Sequence, residues 1–189
     1  MMLTAPHKAL FLDRDGVVID YVPYLGQPEQ VALPLGAAPA LKKWQEAGFL
    51  LILITNQAGI GRGYFTLTDM EAVHTKMRAL YRAWGVEFVD IFYCPHHPQE
   101  QCVCRKPSPY LLIQAAQKYH ISLADSYFLG DAPSDLEAAI AAGCQPLLVL
   151  TGRGKETQSL LPQICPSIPI FADVAATTAL LTASPREGP

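Results

Sequence analysis

The sequence lacks any apolar run approaching the roughly 18 residues of a membrane-spanning helix, so no membrane span is expected. Met1 to Lys8 holds no apolar core and no small-residue cleavage site of the kind that marks a secretory leader. That stretch leads straight into a strand-like segment, and a cytoplasmic location is expected. Internal repeats, low-complexity blocks and linkers are also missing. The 189 residues therefore read as one domain, 1–189, long enough to bury a core without disulfide staples. Charge is sparse too: 16% of residues are charged and the formal net charge is −3. Such a surface gives no bulk attraction to nucleic acid or to an anionic membrane. An anionic substrate would have to be held by a few local cations and backbone N–H groups.

What is present is an alternation of apolar runs with helical patterns. Lys8 to Leu12 reads as a short buried strand. A loop containing Pro and Tyr follows, then a helix from about Ala37 to Ala47, with Gly48 placed to end it. The continuous run Phe49 to Thr55 suits a central parallel strand. Thr66 or Thr68 can cap a helix reaching about Trp84, and Thr68-Asp69-Met70-Glu71 has the spacing of a capping box. Further strands are expected at 88–93, 126–130, 146–150 and 168–172, and helices at 108–119 and 133–142. The tail from 182 to 189 should be frayed. Strands alternating with helices imply an α/β fold with a doubly wound parallel sheet. The crossovers leave room for only a minimal cap.

Ligands of such sheets bind beyond the carboxyl ends of the strands, so the polar residues that interrupt each apolar run should meet there. They are Asp13 and Asp15 after the first strand, Thr55-Asn56-Gln57 after the second, Lys106 after the third and Asp131 after the fourth. Each one alone is weak evidence, because turns and caps use the same residues. Together they suit phosphoryl transfer. Asp13 and Asp131 are hard oxygen ligands able to hold one Mg²⁺. Asp13 can attack phosphorus to form an aspartyl-phosphate. Asp15 can protonate the leaving oxygen and then deprotonate water. Thr55 and Lys106 can bind the equatorial oxygens.

In this order, Asp13-Arg14-Asp15-Gly16, Thr55-Asn56-Gln57, Arg105-Lys106-Pro107 and Gly130-Asp131-Ala132-Pro133-Ser134-Asp135 resemble the four motifs of the haloacid dehalogenase-like (HAD) phosphatases, over about Leu10 to Leu150. The resemblance implies a Rossmann-like sheet, Asp13 as nucleophile and Mg²⁺ ligand, and Asp15 as acid and base. It adds the Asp15 backbone carbonyl as a second ligand, Asp131 as a third, and Asp135 as a supporting residue. Substrate contacts are expected from Arg14, Asp20, Tyr21, Asn56, Gln57, Ala58, Arg62 and Arg105. A small phosphorylated metabolite is the expected substrate, and the chain is expected to act as a monomer.

Three of the five cysteines cluster in the segment 94–104. Cys94, His96, Cys102 and Cys104 offer three thiolates and an imidazole, the donor set of a structural Zn²⁺ site. His97 is the poorer candidate ligand. A pinned loop would hold Arg105 and Lys106 against the phosphate site. Cys144 and Cys165 read as small apolar residues near the core. The segment from Cys94 to Pro107 is similar to two HAD subgroups, heptose 1,7-bisphosphate phosphatases and histidinol-phosphate phosphatases. The run Thr55 to Phe65 resembles the heptose group, whereas the five-residue spacer in the cysteine loop resembles the histidinol-phosphate group. Ala132 stands where the heptose group often carries Lys. Heptose 1,7-bisphosphate 7-phosphatase activity is the first expectation and histidinol-phosphate phosphatase the second. A zinc-stabilised binding module comes third. Gly59-Ile60-Gly61-Arg62-Gly63 lacks dinucleotide-motif spacing and reads as a flexible rim loop.

Overall fold

Alternate residues of the strands face opposite layers. Leu10, Leu12, Leu51 and Leu53 join one buried cluster, while Ala9, Phe11, Ile52 and Ile54 join another. This two-residue period is what a pleated strand dictates when helices cover both of its faces. The computed structural model describes residues 5–165 and 167–182. The strands are β1 (Lys8–Leu12), β2 (Phe49–Asn56), β3 (Asp90–Cys94), β4 (Tyr127–Gly130), β5 (Gln145–Val149) and β6 (Ile170–Phe171). They form one sheet in the order β3-β2-β1-β4-β5-β6, and every pairing is parallel. Leu12 lies opposite Leu53 on one side and Leu129 on the other. Strand order reverses between β1 and β4, so the crevice beyond their carboxyl ends is the switch point where ligands bind in such sheets.

Helices α1 (Ala37–Glu46) and α3 (Leu67–Arg82) cover one face, with Leu41, Trp44, Val73, Met77 and Tyr81 fully buried. Helices α4 (Tyr110–Tyr119) and α5 (Pro133–Ala142) cover the other through Leu111, Leu112, Ala115, Ala138 and Ala139. The box expected at Thr68–Glu71 does not form; a capping box two residues earlier, Thr66–Asp69, starts α3. Thr66 is the cap, accepting from Asp69 N at 3.2 Å, and Asp69 Oδ2 accepts from Thr66 N at 2.7 Å. Thr68 therefore lies inside the helix.

Elements not expected from the pattern include two helices. Ala58–Gly61 forms a single helical turn, α2, in place of a flexible rim loop. Gly154–Ile164 forms α6, whose first half is Lys, Glu, Thr, Gln and Ser and carries little apolar periodicity. Of the tail expected to fray, only Thr182 is described, closing the short helix α7 (Ala179–Thr182). Between β1 and α1 the chain makes only a short 3-10 turn at Pro28–Gln30, so the flap over the site is small. No helix among the described residues is long and apolar enough to cross a membrane.

Candidate active site

The strand ends bring four charged side chains to the switch point. Asp13 directly follows β1, and its N–H donates to Leu129 O on the neighbouring β4 at 3.0 Å. Lys106 Nζ donates to Asp13 Oδ1 at 2.8 Å and to Ile54 O at 2.8 Å, and lies 2.7 Å from Asp135 Oδ1. Lys106 is 3% exposed. Burial alone would depress its pKa, but Asp13 and Asp135 outweigh burial and hold the ammonium above its usual value.

Asp131, directly after β4, is 1% exposed. Its Oδ2 accepts from Arg153 N at 2.7 Å, while Oδ1 is buried with no partner among the described residues. Burial first, then the charges of Asp13 and Asp135, push its pKa up to about 8. Oxygens of Asp13, Asp131 and Asp135 all lie within 4.8 Å of one another. Asp135 is committed elsewhere: its Oδ2 accepts from Asp131 N at 3.2 Å and from Ala132 N at 3.0 Å. The pair left for a cation is Asp13 and Asp131. A crowded pair of buried carboxylates with an orphaned oxygen is what a hard divalent ion relieves. Gly152 packs against this site, and a Cβ there would overlap Asp131 Oδ2.

Asp15 is fixed from two sides. Arg14 Nη2 donates to its Oδ1 at 2.9 Å, and Arg14 Nε to its Oδ2 at 3.2 Å. Gln57 Nε2 reaches Asp15 Oδ2 at 3.0 Å and Thr55 Oγ1 at 2.8 Å, tying the acidic loop to the end of β2. A cavity of about 300 Å³ opens above these groups. Asp13, Asp15, Asn56, Gln57 and Lys106 line its polar floor, with Tyr21, Tyr24, Ala58, Arg62, Phe65, Arg105 and Arg153 among its other lining residues.

Cys94, His96, Cys102 and Cys104 converge beside this cavity. Cys94 Sγ lies 3.5 Å from His96 Nδ1 and 3.4 Å from Cys102 Sγ, and Cys104 Sγ is 3.2 Å from His96 Nδ1 and 3.7 Å from Cys102 Sγ. These are edge lengths of a tetrahedron whose centre is about 2.0–2.3 Å from each donor, as Zn²⁺ requires. Burial pushes the Cys94 thiol up to about 12, a value at which a cation is needed to make it a thiolate. The loop leans on α2: Gly61 N donates to Pro95 O at 2.9 Å, and Gln57 N to Cys94 O at 2.8 Å. A Cβ on Gly61 would overlap the backbone of His97, so only glycine allows that approach.

The geometry has counterparts among known proteins. A family model described as HAD-hydrolase-like matches residues 103–177. The D-glycero-β-D-manno-heptose-1,7-bisphosphate 7-phosphatase of Pseudomonas putida is 44% identical over 171 residues, which is 89% of this chain and 96% of that protein. The chain belongs to the haloacid dehalogenase-like phosphatases. A second member, the heptose bisphosphate 7-phosphatase of Pseudomonas aeruginosa, is 41% identical across 91% of this chain and 96% of that one. The crystal structure of the D,D-heptose 1,7-bisphosphate phosphatase of B. bronchiseptica, complexed with magnesium and phosphate, superposes with a TM-score of 0.85. It is 36% identical and covers 92% of this chain and 97% of that chain.

Several residues expected to contact substrate are also engaged by protein partners, and one lies away from the cavity. Arg14 is 1% exposed, with its guanidinium spent on Asp15 and His74. Asn56 grips the Lys106 backbone: its Nδ2 donates to Lys106 O at 3.1 Å and its Oδ1 accepts from Lys106 N at 3.0 Å. Gln57 is buried and serves as a bridge. Asp20 is exposed and does not line the cavity. Tyr21, Ala58, Arg62 and Arg105 do line it, and Arg105 Nη1 is buried without a partner among the described residues. His97 caps the short turn Pro98–Glu100, accepting from Gln99 N at 3.2 Å. Cys144 is buried in the core as expected, whereas Cys165 is only half-buried. The residue missed is Arg153, which lines the cavity beside Ala132's neighbour Asp131. The polar break Thr151-Gly152-Arg153 after β5 would have found it by the rule that found the others.

Proposed function

We propose that this HAD phosphatase removes the 7-phosphate from D-glycero-β-D-manno-heptose 1,7-bisphosphate, with Asp13 as nucleophile and Asp15 as acid and base. The observation that carries the chemistry is the pairing of Asp13 with Lys106 at the cavity wall, with the unpartnered Asp131 oxygen buried within 4.8 Å of the Asp13 carboxylate. The likeness to two heptose bisphosphate phosphatases over nearly the whole chain supports the substrate.

In the first half-reaction an Asp13 oxygen bonds to phosphorus as the bond from phosphorus to the sugar oxygen breaks. Asp15, as the acid, gives that oxygen its proton, so the C7 hydroxyl leaves neutral. In the second, the Asp15 carboxylate takes a proton from water, whose oxygen bonds to phosphorus. The Asp13–phosphorus bond breaks, Asp13 returns to a carboxylate, and inorganic phosphate departs; one water is consumed. Thr55 and Lys106 hold the phosphoryl oxygens throughout. The Asp13 and Asp131 carboxylates, with the Asp15 carbonyl, would hold Mg²⁺, which supplies charge neutralisation at those oxygens. Cys94, His96, Cys102 and Cys104 would hold a structural Zn²⁺, keeping Arg105 and Lys106 at the cavity. Five cysteines without a disulfide fit a reducing, cytoplasmic setting.

The test is a comparison of kcat/KM for the heptose bisphosphate and histidinol phosphate in metal-loaded protein. The heptose ester is expected to win by orders of magnitude. A preference of that size for histidinol phosphate overturns the substrate and leaves the chemistry standing.

A further inference from the structure

The two residues next to the acid–base group in space have no place in the chemistry above, yet both are buried. Arg14 is 1% exposed and His74 8% exposed. Two edges of the Arg14 guanidinium are used. Nε and Nη2 fork onto Asp15 at 3.2 and 2.9 Å, and Nη1 lies 3.3 Å from His74 Nε2. His74 comes from the inward face of α3, flanked along the helix by the buried Met70, Val73 and Met77. An apolar residue would fill such a place without desolvating a charge, so packing alone does not call for the pair.

We propose that His74 is a positioning residue for the acid–base step: it orients Arg14, and Arg14 in turn fixes the rotamer of Asp15. This rests on the reading of Asp15 as acid and base. The arginine can only donate, so Nε2 must accept and the ring must be neutral, with its proton on Nδ1. Burial, then the charges of Arg14 and Arg78, lower the His74 pKa to about 3, which keeps it so. An Asp15 held at one rotamer by Arg14 and Gln57 presents its oxygens in one direction. A loosened Arg14 lets the carboxyl turn away from the leaving oxygen, and small misplacements of an acid are costly in rate.

The experiment uses leaving groups. Turnover of an alkyl phosphate such as glycerol phosphate needs a proton on the leaving oxygen; turnover of p-nitrophenyl phosphate needs it far less. In metal-loaded protein, His74→Leu is expected to lower kcat/KM, which reports the steps up to departure of the leaving group, by about 10-fold for the alkyl ester and by less than about 3-fold for the aryl ester. His74→Gln, which keeps an acceptor, is expected to restore most of the loss. Arg14→Lys, which keeps the charge but loses the fork, provides the same contrast if His74→Leu is insoluble. Equal losses on the two esters, or wild-type kinetics in His74→Leu, overturn the proposal. Asp15→Asn is the control: if it does not separate the two esters, the assignment of Asp15 itself is wrong. If it separates them and the His74 and Arg14 variants do not, only the positioning role fails.

Discussion

The carboxylate cluster and the cysteine loop lie side by side, but they are assembled in opposite ways. Asp13, Lys106, Asp131 and Asp135 arrive from three stretches of the chain, brought together by the register of β1 against β4 and by Asn56 gripping Lys106. Cys94, His96, Cys102 and Cys104 come from one excursion of eleven residues after β3. In the first cluster an ammonium sits between two of the three carboxylates, Asp13 and Asp135, and leaves Asp131 for a cation. The second has no internal cation and little apolar packing along 95–101, so its order depends on what its donors bind. The sheet thus gathers the carboxylates and Lys106, and the cysteine loop runs directly into Arg105 and Lys106.

The largest test of this contrast is Asp13→Asn. It should cut turnover by about 10⁵-fold or more, to background, as loss of a nucleophile does. Because it also removes one of three crowded carboxylates and leaves Lys106 paired with Asp135, urea unfolding in Mg²⁺-free buffer should move by no more than about 1 kcal/mol. Lys106→Met should do the reverse to stability. It strips the cation from buried Asp13 and Asp135, and unfolding free energy should fall by about 3–5 kcal/mol. If Lys106→Met is as stable as wild type, the ammonium is not what holds Asp13 and Asp135 together.

Acid should weaken the same region through His74. Folded His74 stays neutral down to about pH 3, whereas in the unfolded chain it takes up a proton below about 6.5. Protons therefore favour the unfolded state across that window, and stability present above pH 6.5 is lost as pH falls. From pH 7 to 5 the loss from this group should be about 2 kcal/mol. Thermal unfolding of wild type and His74→Gln at the two pH values checks it, since the variant should lack that increment.

The smallest effect belongs to the loop. A zinc-selective chelator, with Mg²⁺ restored, should lower activity about 10-fold, the scale of a displaced supporting residue. Hydrogen exchange should quicken in 94–106 while the strands stay protected. Full activity in verified zinc-free protein would break the link between the cysteine loop and Arg105 and Lys106.

The strands and most helices were legible because each buries a face with its own period: Pro133–Ala142 and Phe49–Asn56 stand within a residue of their expected bounds. Helix α6 was not, because only Leu161 and Thr157 among its described side chains are buried, too few to mark a face. The site residues were legible as polar interruptions of apolar runs. Their division of labour was not. Arg14, Asn56 and Gln57 carry side chains that suit a phosphate, and nothing local says that each is consumed by a protein partner.

The sequence by itself determined the layered α/β architecture, the family, the convergence of Asp13, Thr55, Lys106 and Asp131, and the four soft donors. These follow from local periodicity and from the rule that parallel strands share one ligand edge. The tertiary structure alone decided which of those polar groups face the cavity. Hydrogen bonds between residues 42 to 60 positions apart, such as Gln57 to Asp15, Asn56 to Lys106 and His74 to Arg14, depend on register and burial. No local pattern encodes such distances, because each partner meets the other only after the sheet has closed.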